Sequence, residues 1–302
     1  MKTLYLDCFS GISGDMMIGA LLDAGGDFEH LKTELRKLAI TDEYELNMKK
    51  VVKNGITSTK FDVVLKNEEE NHDHSGHSHL DDHTYAQENH GAHAHHHDHE
   101  AHEAHAHHQE QEDKEPAHGH HHHHHGHDHG HSHAHRSYKD IVKMIETADF
   151  SDGVKNAALK IFKKIGEAEG RIHGMELDQV HFHEVGAVDS IIDIVGTAIL
   201  LDQLGIASVK SAAVPVGSGK IYIDHGVYPV PAPATLEILR GVPIQKSELK
   251  SELTTPTGAG IVAVMTETFE NFPTMKVEAI GYGAGTKTFP NHPNVLRVVI
   301  GE

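Results

Sequence analysis

Four ionisable side chains, His181, His183, Glu184 and Asp189, fall within nine residues, and a fifth, Asp193, follows four positions later. In an extended strand His181 and His183 share one face, and a turn at Gly186 brings Asp189 towards it. Two imidazoles and a carboxylate are a ligand set for a divalent metal, leaving Glu184 and Asp193 as candidate catalytic carboxylates. The structural alternative has both histidines bonding backbone groups and Asp189 capping a helix. His225, beside Asp224, is a further candidate ligand or acid/base group, and the preceding Gly217-Ser218-Gly219-Lys220 could hold phosphate oxygens.

A second kind of chemistry is anion binding. Residues 7–15, Asp-Cys-Phe-Ser-Gly-Ile-Ser-Gly-Asp, lie between an apolar run and a helical pattern. Ser10, Gly11, Ser13, Gly14 and Asp15 therefore sit where the free N–H groups of a helix N-terminus meet phosphate. The segment lacks the lysine of a P-loop and fails the G-x-S-x-G nucleophile pattern. Its structural alternative is Ser13 as N-cap with Asp15 complementing the helix dipole. Thr255 and Gly258 offer a hydroxyl and an N–H in the same way, with capping again the alternative. Gly281 to Lys287 reads as a glycine-rich loop between strands, either a turn or a cover over a ligand. Cys8 could ligate metal or attack as a nucleophile, though an isolated cysteine at a strand end is more often a small buried side chain.

The elements that must position these groups follow from apolar periodicity. Strands are expected over Thr3–Leu6, Glu45–Val52, Thr57–Leu65, Gln179–Glu184, Ala212–Val216, Val277–Tyr282 and Val295–Ile300, with a hairpin turn at Asn54-Gly55. Helices are expected over Asp15–Ala24, Phe28–Leu38, two stretches within Ser137–Arg171, Ser190–Leu204, Ala232–Leu239 and Gly258–Phe269. The fold class is mixed α/β (α+β), a sheet with packed helices. Pro229, Pro231 and Pro233 stiffen the approach to one helix, which starts near Pro233.

Between these segments lies a tract of another kind. Residues 71–135 hold 27 of the 33 histidines, six of them consecutive at His120, His121, His122, His123, His124 and His125. The tract is expected to be disordered and to bind metal through many interchangeable imidazole sets, and its mixed, internal composition argues against a purification tag. It divides the chain into an N-terminal αβ segment (1–70), the tract (71–135) and a C-terminal αβ segment (136–302), whose flanks could form one domain. The formal charge of −19 and the absence of a basic stripe argue against nucleic acid. One cysteine excludes a disulfide framework, and no apolar stretch reaches membrane-spanning length, so a cytoplasmic protein is expected.

The motifs at 7–16, 181–190 (His-Phe-His-Glu-Val-Gly-Ala-Val-Asp-Ser) and 229–235 (Pro-Val-Pro-Ala-Pro-Ala-Thr), with 253–258 and 281–287, together resemble the LarC family of nickel insertion proteins. That resemblance implies insertion of Ni(II) into pyridinium-3,5-bisthiocarboxylic acid mononucleotide, forming the nickel-pincer cofactor of lactate racemase, with CTP hydrolysed. It also implies a further C-terminal part associated with CTP and Mg(II) or Mn(II), so either a separate C-terminal partner completes this chain or the chain is inactive alone; a homo-oligomer is expected. In this frame His181, His183 and Asp189 hold nickel, Glu184 takes a ring proton, and the Gly/Ser loops hold the substrate phosphate. The competing expectation is a non-enzymatic nickel or zinc store built around the tract.

Overall fold

The computed structural model of the protein describes residues 1–66, 136–182, 185–223 and 226–302. The first segment runs β1 (Thr3–Asp7), α1 (Gly14–Asp23), α2 (Phe28–Leu35), β2 (Tyr44–Lys53) and β3 (Ile56–Leu65). After residue 136 come α3 (Tyr138–Thr147), α4 (Asp152–His173), α5 (Val188–Gln203), β4 (Ser208–Ser211), β5 (Val214–Pro215), β6 (Lys220–Ile223) and β7 (Gly226–Pro229). Helix α6 (Pro233–Ile238), β8 (Ile244–Gln245), α7 (Pro256–Met265), β9 (Thr268–Phe269), β10 (Val277–Ala284) and β11 (Val295–Gly301) complete it.

Strands from both sides of residues 67–135 build one seven-stranded sheet, ordered β2-β3-β10-β11-β1-β4-β9. β1 lies inside it, antiparallel to β11 and parallel to β4. The β2–β3 hairpin turns at Asn54 and Gly55, both at positive φ (46° and 84°), the backbone a tight I′-like turn requires. Chain ends around the undescribed stretch are fastened at one residue: the Glu43 carbonyl accepts the Lys66 N–H at 3.1 Å, and its carboxylate takes the Arg136 guanidinium at 2.5 Å.

Helix α1 lies directly on β3, β10 and β11. The contact is backbone to backbone, because a Cβ at Gly283 would stand 1.8 Å from the Met16 carbonyl oxygen. The glycines of 281–283 thus belong to a strand and admit a helix; the expected loop begins only at Gly285. Helix α5 packs behind α1, and α4 packs on α5 and α7. In α5, Ile191, Ile192, Ile194, Val195, Ile199 and Leu200 are each at most 1% exposed. Each such burial stabilises by about 1.5–3 kcal/mol, so together they outweigh the roughly 1–3 kcal/mol cost of an imperfectly bonded polar group among them. That margin lets this helix carry a carboxyl inward.

The architecture is the mixed α/β sheet with packed helices expected from periodicity, with four local differences. Of the expected strand Gln179–Glu184 the described residues 179–182 form none: a 3-10 turn occupies Leu177–Gln179, and His181 makes only an isolated bridge to Ser137. Val180 and Phe182 are buried and His181 exposed, so the strand-like alternation is real, but no neighbouring strand is there to pair with it. Of the expected strand Ala212–Val216 only Val214–Pro215 forms, as β5, and the sheet strand β4 lies before it at Ser208–Ser211. The last helix stops at Met265, and Thr268–Phe269 joins the sheet as β9. A separate hairpin, β6–β7, takes up residues expected to form a phosphate-binding turn and its sequel.

Candidate functional site

The first turns of α1, α5 and α7 converge with β3 and β6 on a cleft of about 510 Å³. Its lining includes Ser13, Gly14 and Asp15 from α1, Asp189 and Asp193 from α5, Thr255 and Thr257 from α7, and Lys60 and Asp62 from β3. Ile221, Tyr222 and Ile223 of β6 close another side. Five acidic residues (with Glu252) face a single lysine in this lining, so the cleft attracts cations.

Asp193 stands at its centre, half-buried with its Oδ1 enclosed, and accepts the backbone N–H of Asp15. A carboxylate of the protein itself therefore takes the helix N-terminal position expected to bind a substrate phosphate. Gly14 makes the approach possible: a Cβ there would fall 2.4 Å from both the Cβ and Oδ2 of Asp193. Burial pushes the Asp193 carboxyl well above the usual carboxylate range, the charges of Asp15 and Asp189 push it further, and Lys60 opposes them. Among the described residues its Oδ1 has no hydrogen-bond partner. Lys60, with a side chain only 9% exposed, donates to Asp15 Oδ2 at 2.6 Å, Asp62 Oδ1 at 2.7 Å and the Phe61 carbonyl at 2.9 Å. Burial alone would lower the Lys60 pKa, but the two carboxylates outweigh it and the group is held protonated. Asp15 also accepts from the Ser13 hydroxyl, so Ser13 occupies the N-cap position without capping α1 through its side chain. A carboxyl whose proton is held more tightly than usual, beside two further aspartates on a lysine, can exchange protons and draw in a divalent cation.

Of the residues singled out in the sequence, Ser13, Gly14, Asp15, Asp189, Asp193 and Thr255 are brought together in this cleft. Thr255 also caps α7, its hydroxyl accepting the Gly258 N–H at 3.2 Å, so Gly258 spends its amide within the protein. Ser10 and Gly11 point elsewhere: the Ser10 hydroxyl donates to the Pro293 carbonyl at 2.5 Å, and the Gly11 N–H to the Cys8 carbonyl at 2.7 Å. The Ser218 hydroxyl bonds the Leu249 carbonyl at 2.9 Å. His181 does not line the cleft; it stands near Asp140, whose carboxyl is held low first by bonds from Ser137 and in smaller part by His181. His183, Glu184, His225 and the tract, with His120–His125, lie outside the described residues. Among the described residues no group of three or more His, Cys, Asp or Glu side chains is arranged to hold a metal. Cys8 is fully buried, and burial pushes its thiol up to about 12, which favours the small-side-chain role over a nucleophile.

Lys60, Asp62 and Glu252 escaped the sequence reading. Lys60 and Asp62 sit in a strand whose alternation reads as an ordinary solvated face, and only the distant Asp15 shows that face to be covered. Three residues of β6, Ile221, Tyr222 and Ile223, went unread for the same reason, since they take their place by pairing with β7.

The family model described as nickel insertion protein matches residues 4–302. The pyridinium-3,5-bisthiocarboxylic acid mononucleotide nickel insertion protein of Geobacillus kaustophilus is 48% identical over 302 residues, covering 100% of this chain and 60% of that protein. Proteins of the same name from Clostridium kluyveri (42% identical over 302 residues, 100% of this chain, 62% of the relative) and Staphylococcus epidermidis (40% over 298 residues, 99% and 59%) are similar along the same span. The chain thus spans about 60% of the length of these curated relatives. No solved structure matches it. Among the described residues no helix is long and apolar enough to cross a membrane.

Proposed function

The chain belongs to the nickel insertion protein family, and on that premise we propose that it inserts Ni(II) into pyridinium-3,5-bisthiocarboxylic acid mononucleotide. The observation that carries this is the acidic cleft: a site lined by five acids and one lysine, with a half-buried carboxyl at its centre, suits delivery of a divalent cation to a cationic ring. Nickel is here a substrate. To form a nickel–carbon bond the ring must lose a proton, its C–H electron pair passing to the metal as the two sulfurs coordinate and water leaves. We assign nickel capture to His181, His183 and Asp189, with His225 as a further ligand, and the ring proton to Glu184, with Asp193 as the second catalytic carboxyl. Ser13, Gly14, Asp15 and Thr255 shape the cleft around the substrate.

The proposal extends to CTP, with Mg(II) or Mn(II), as the nucleotide consumed. That step is assigned to a separate C-terminal part matching the relatives' remaining length, with lactate racemase as eventual recipient of the cofactor and a cytoplasmic homo-oligomer as the working form. The test mixes the chain, nickel, CTP and the dithiolated mononucleotide, with and without such a part, and follows the absorbance of the nickel complex. Unchanged insertion by a His181→Ala/His183→Ala double variant would overturn the ligand assignment.

The 27 histidines of residues 71–135 support a second role, metal storage or delivery. Deleting that stretch separates the two: insertion at excess nickel survives if the ordered body is the catalyst, whereas the number of nickel ions bound per chain collapses if storage is the function.

A further inference from the structure

Beside the acidic cleft lies a second groove, of about 370 Å³, between the β2–β3 hairpin and residues 285–288. The two share Lys60, Asp62 and Thr286 as common walls, so they are adjoining compartments. Their charge is opposite. Three lysines, Lys49, Lys53 and Lys60, face one acid, Asp62, in the second groove. Lys60 is committed to Asp15 and Asp62, and Lys49 stands 3.8 Å from Asp62. Lys53 is different. Its ammonium is held by three neutral oxygens, the carbonyls of Thr286 (3.2 Å) and Lys287 (3.1 Å) and the hydroxyl of Thr288 (3.3 Å), and among the described residues no carboxylate pairs with it. Its three N–H groups are spent on those oxygens but its charge is not compensated, so it attracts an anion by charge, and a bound anion takes over one of the three bonds.

We propose that the groove of Lys53, Lys49, Thr286 and Thr288 binds the phosphate monoester of a pyridinium mononucleotide, so that the ring end of the same molecule reaches the acidic cleft across the shared wall of Lys60 and Thr286. This deepens, and rests on, the nickel insertion function proposed above. The amides of Gly11, Asp15 and Gly258 are engaged within the protein and carry no net charge, whereas Lys53, equally engaged, brings a full positive charge to the phosphate. The oppositely charged compartments orient the substrate, with its anionic tail in the basic groove and its reacting ring among the acids.

The test is calorimetric binding of nicotinate mononucleotide, which carries a pyridinium ring, ribose and phosphate without the sulfurs, compared with its dephosphorylated nucleoside at low ionic strength. The full chain is expected to prefer the phosphorylated form by about tenfold or more, the range of one hydrogen bond to a charged group. Lys53→Ala removes that preference while nucleoside binding stays, Lys53→Arg restores part of it, and added salt erodes it. Lys49→Gln, on the more exposed lysine, lowers the preference in the same direction and carries the test if Lys53→Ala melts early. Equal binding of nucleotide and nucleoside to the unmodified chain, or an undiminished preference in Lys53→Ala, overturns the groove assignment. Inorganic phosphate binding that Lys53→Ala abolishes, with neither pyridinium compound bound, upholds the anion groove and overturns the substrate proposed for the cleft.

Discussion

Gly14→Ala puts two effects in direct opposition. Alanine is the better helix former, by about 1 kcal/mol in a helix interior, and Gly14 has an ordinary helical backbone, so propensity alone predicts a slightly more stable protein. Packing predicts the reverse. The new methyl would lie 2.4 Å from Asp193 Cβ and Oδ2, where carbon atoms rest at about 3.5–4.0 Å, so α1 and α5 must part by about 1 Å or the carboxyl must swing away. Parting the helices is overpacking, at about 1–3 kcal/mol. Swinging the carboxyl breaks its bond to the Asp15 amide, at about 1–3 kcal/mol for a buried group left unpaired. Either route exceeds the propensity gain, which is small at the first position of a helix. The net expectation is destabilisation of about 1–3 kcal/mol, or roughly 2–12 °C in the thermal midpoint for a domain of this size. Chemical and thermal denaturation of the variant measure it. Gly174→Ala is the control: Gly174 ends α4 at φ +66° with nothing within 4 Å, so the cost there is the left-handed backbone alone, about 1 kcal/mol. A Gly14→Ala protein as stable as the parent, or more so, would show that Asp193 is not packed against the start of α1.

Asp193→Asn should flatten the dependence of stability on pH. The folded protein holds the Asp193 proton more tightly than the unfolded chain, so its contribution is complete below the ordinary carboxylate value of 3.8 and is lost as pH rises towards the raised folded value. Denaturant midpoints across acid to neutral pH should show the parent losing stability relative to Asn, and identical slopes would refute the burial argument. Lys60→Met leaves Asp15 and Asp62 without their shared cation and should cost about 3–5 kcal/mol, read from the urea midpoint; a neutral result would mean that the aspartates are solvated. Cys8, with its thiol near 12, should resist iodoacetamide in the native protein at pH 8 and react only on unfolding; rapid native labelling, followed by mass spectrometry, would contradict its burial.

Much of the fold was legible because its elements announce themselves locally. The Asn54-Gly55 turn and the apolar run of α5 each carry their own signal. What stayed hidden depends on partners far along the chain. Residues 179–182 alternate like a strand and, among the described residues, bridge only to Ser137, while Gly281 and Gly283 look like a loop until α1 is laid across them. The site divides the same way. Asp189 and Asp193 stood out as polar residues in an apolar helix, but Lys60 and Lys53 gain meaning only from Asp15 and from the carbonyls of residues 286–287, more than 40 and 200 positions away.

Glu43 receives the chain where the description stops, at Lys66, and where it resumes, at Arg136. The end of β3 and the start of α3 are thus riveted to a single point on the body, so that residues 67–135 begin and end at one anchor whatever their number.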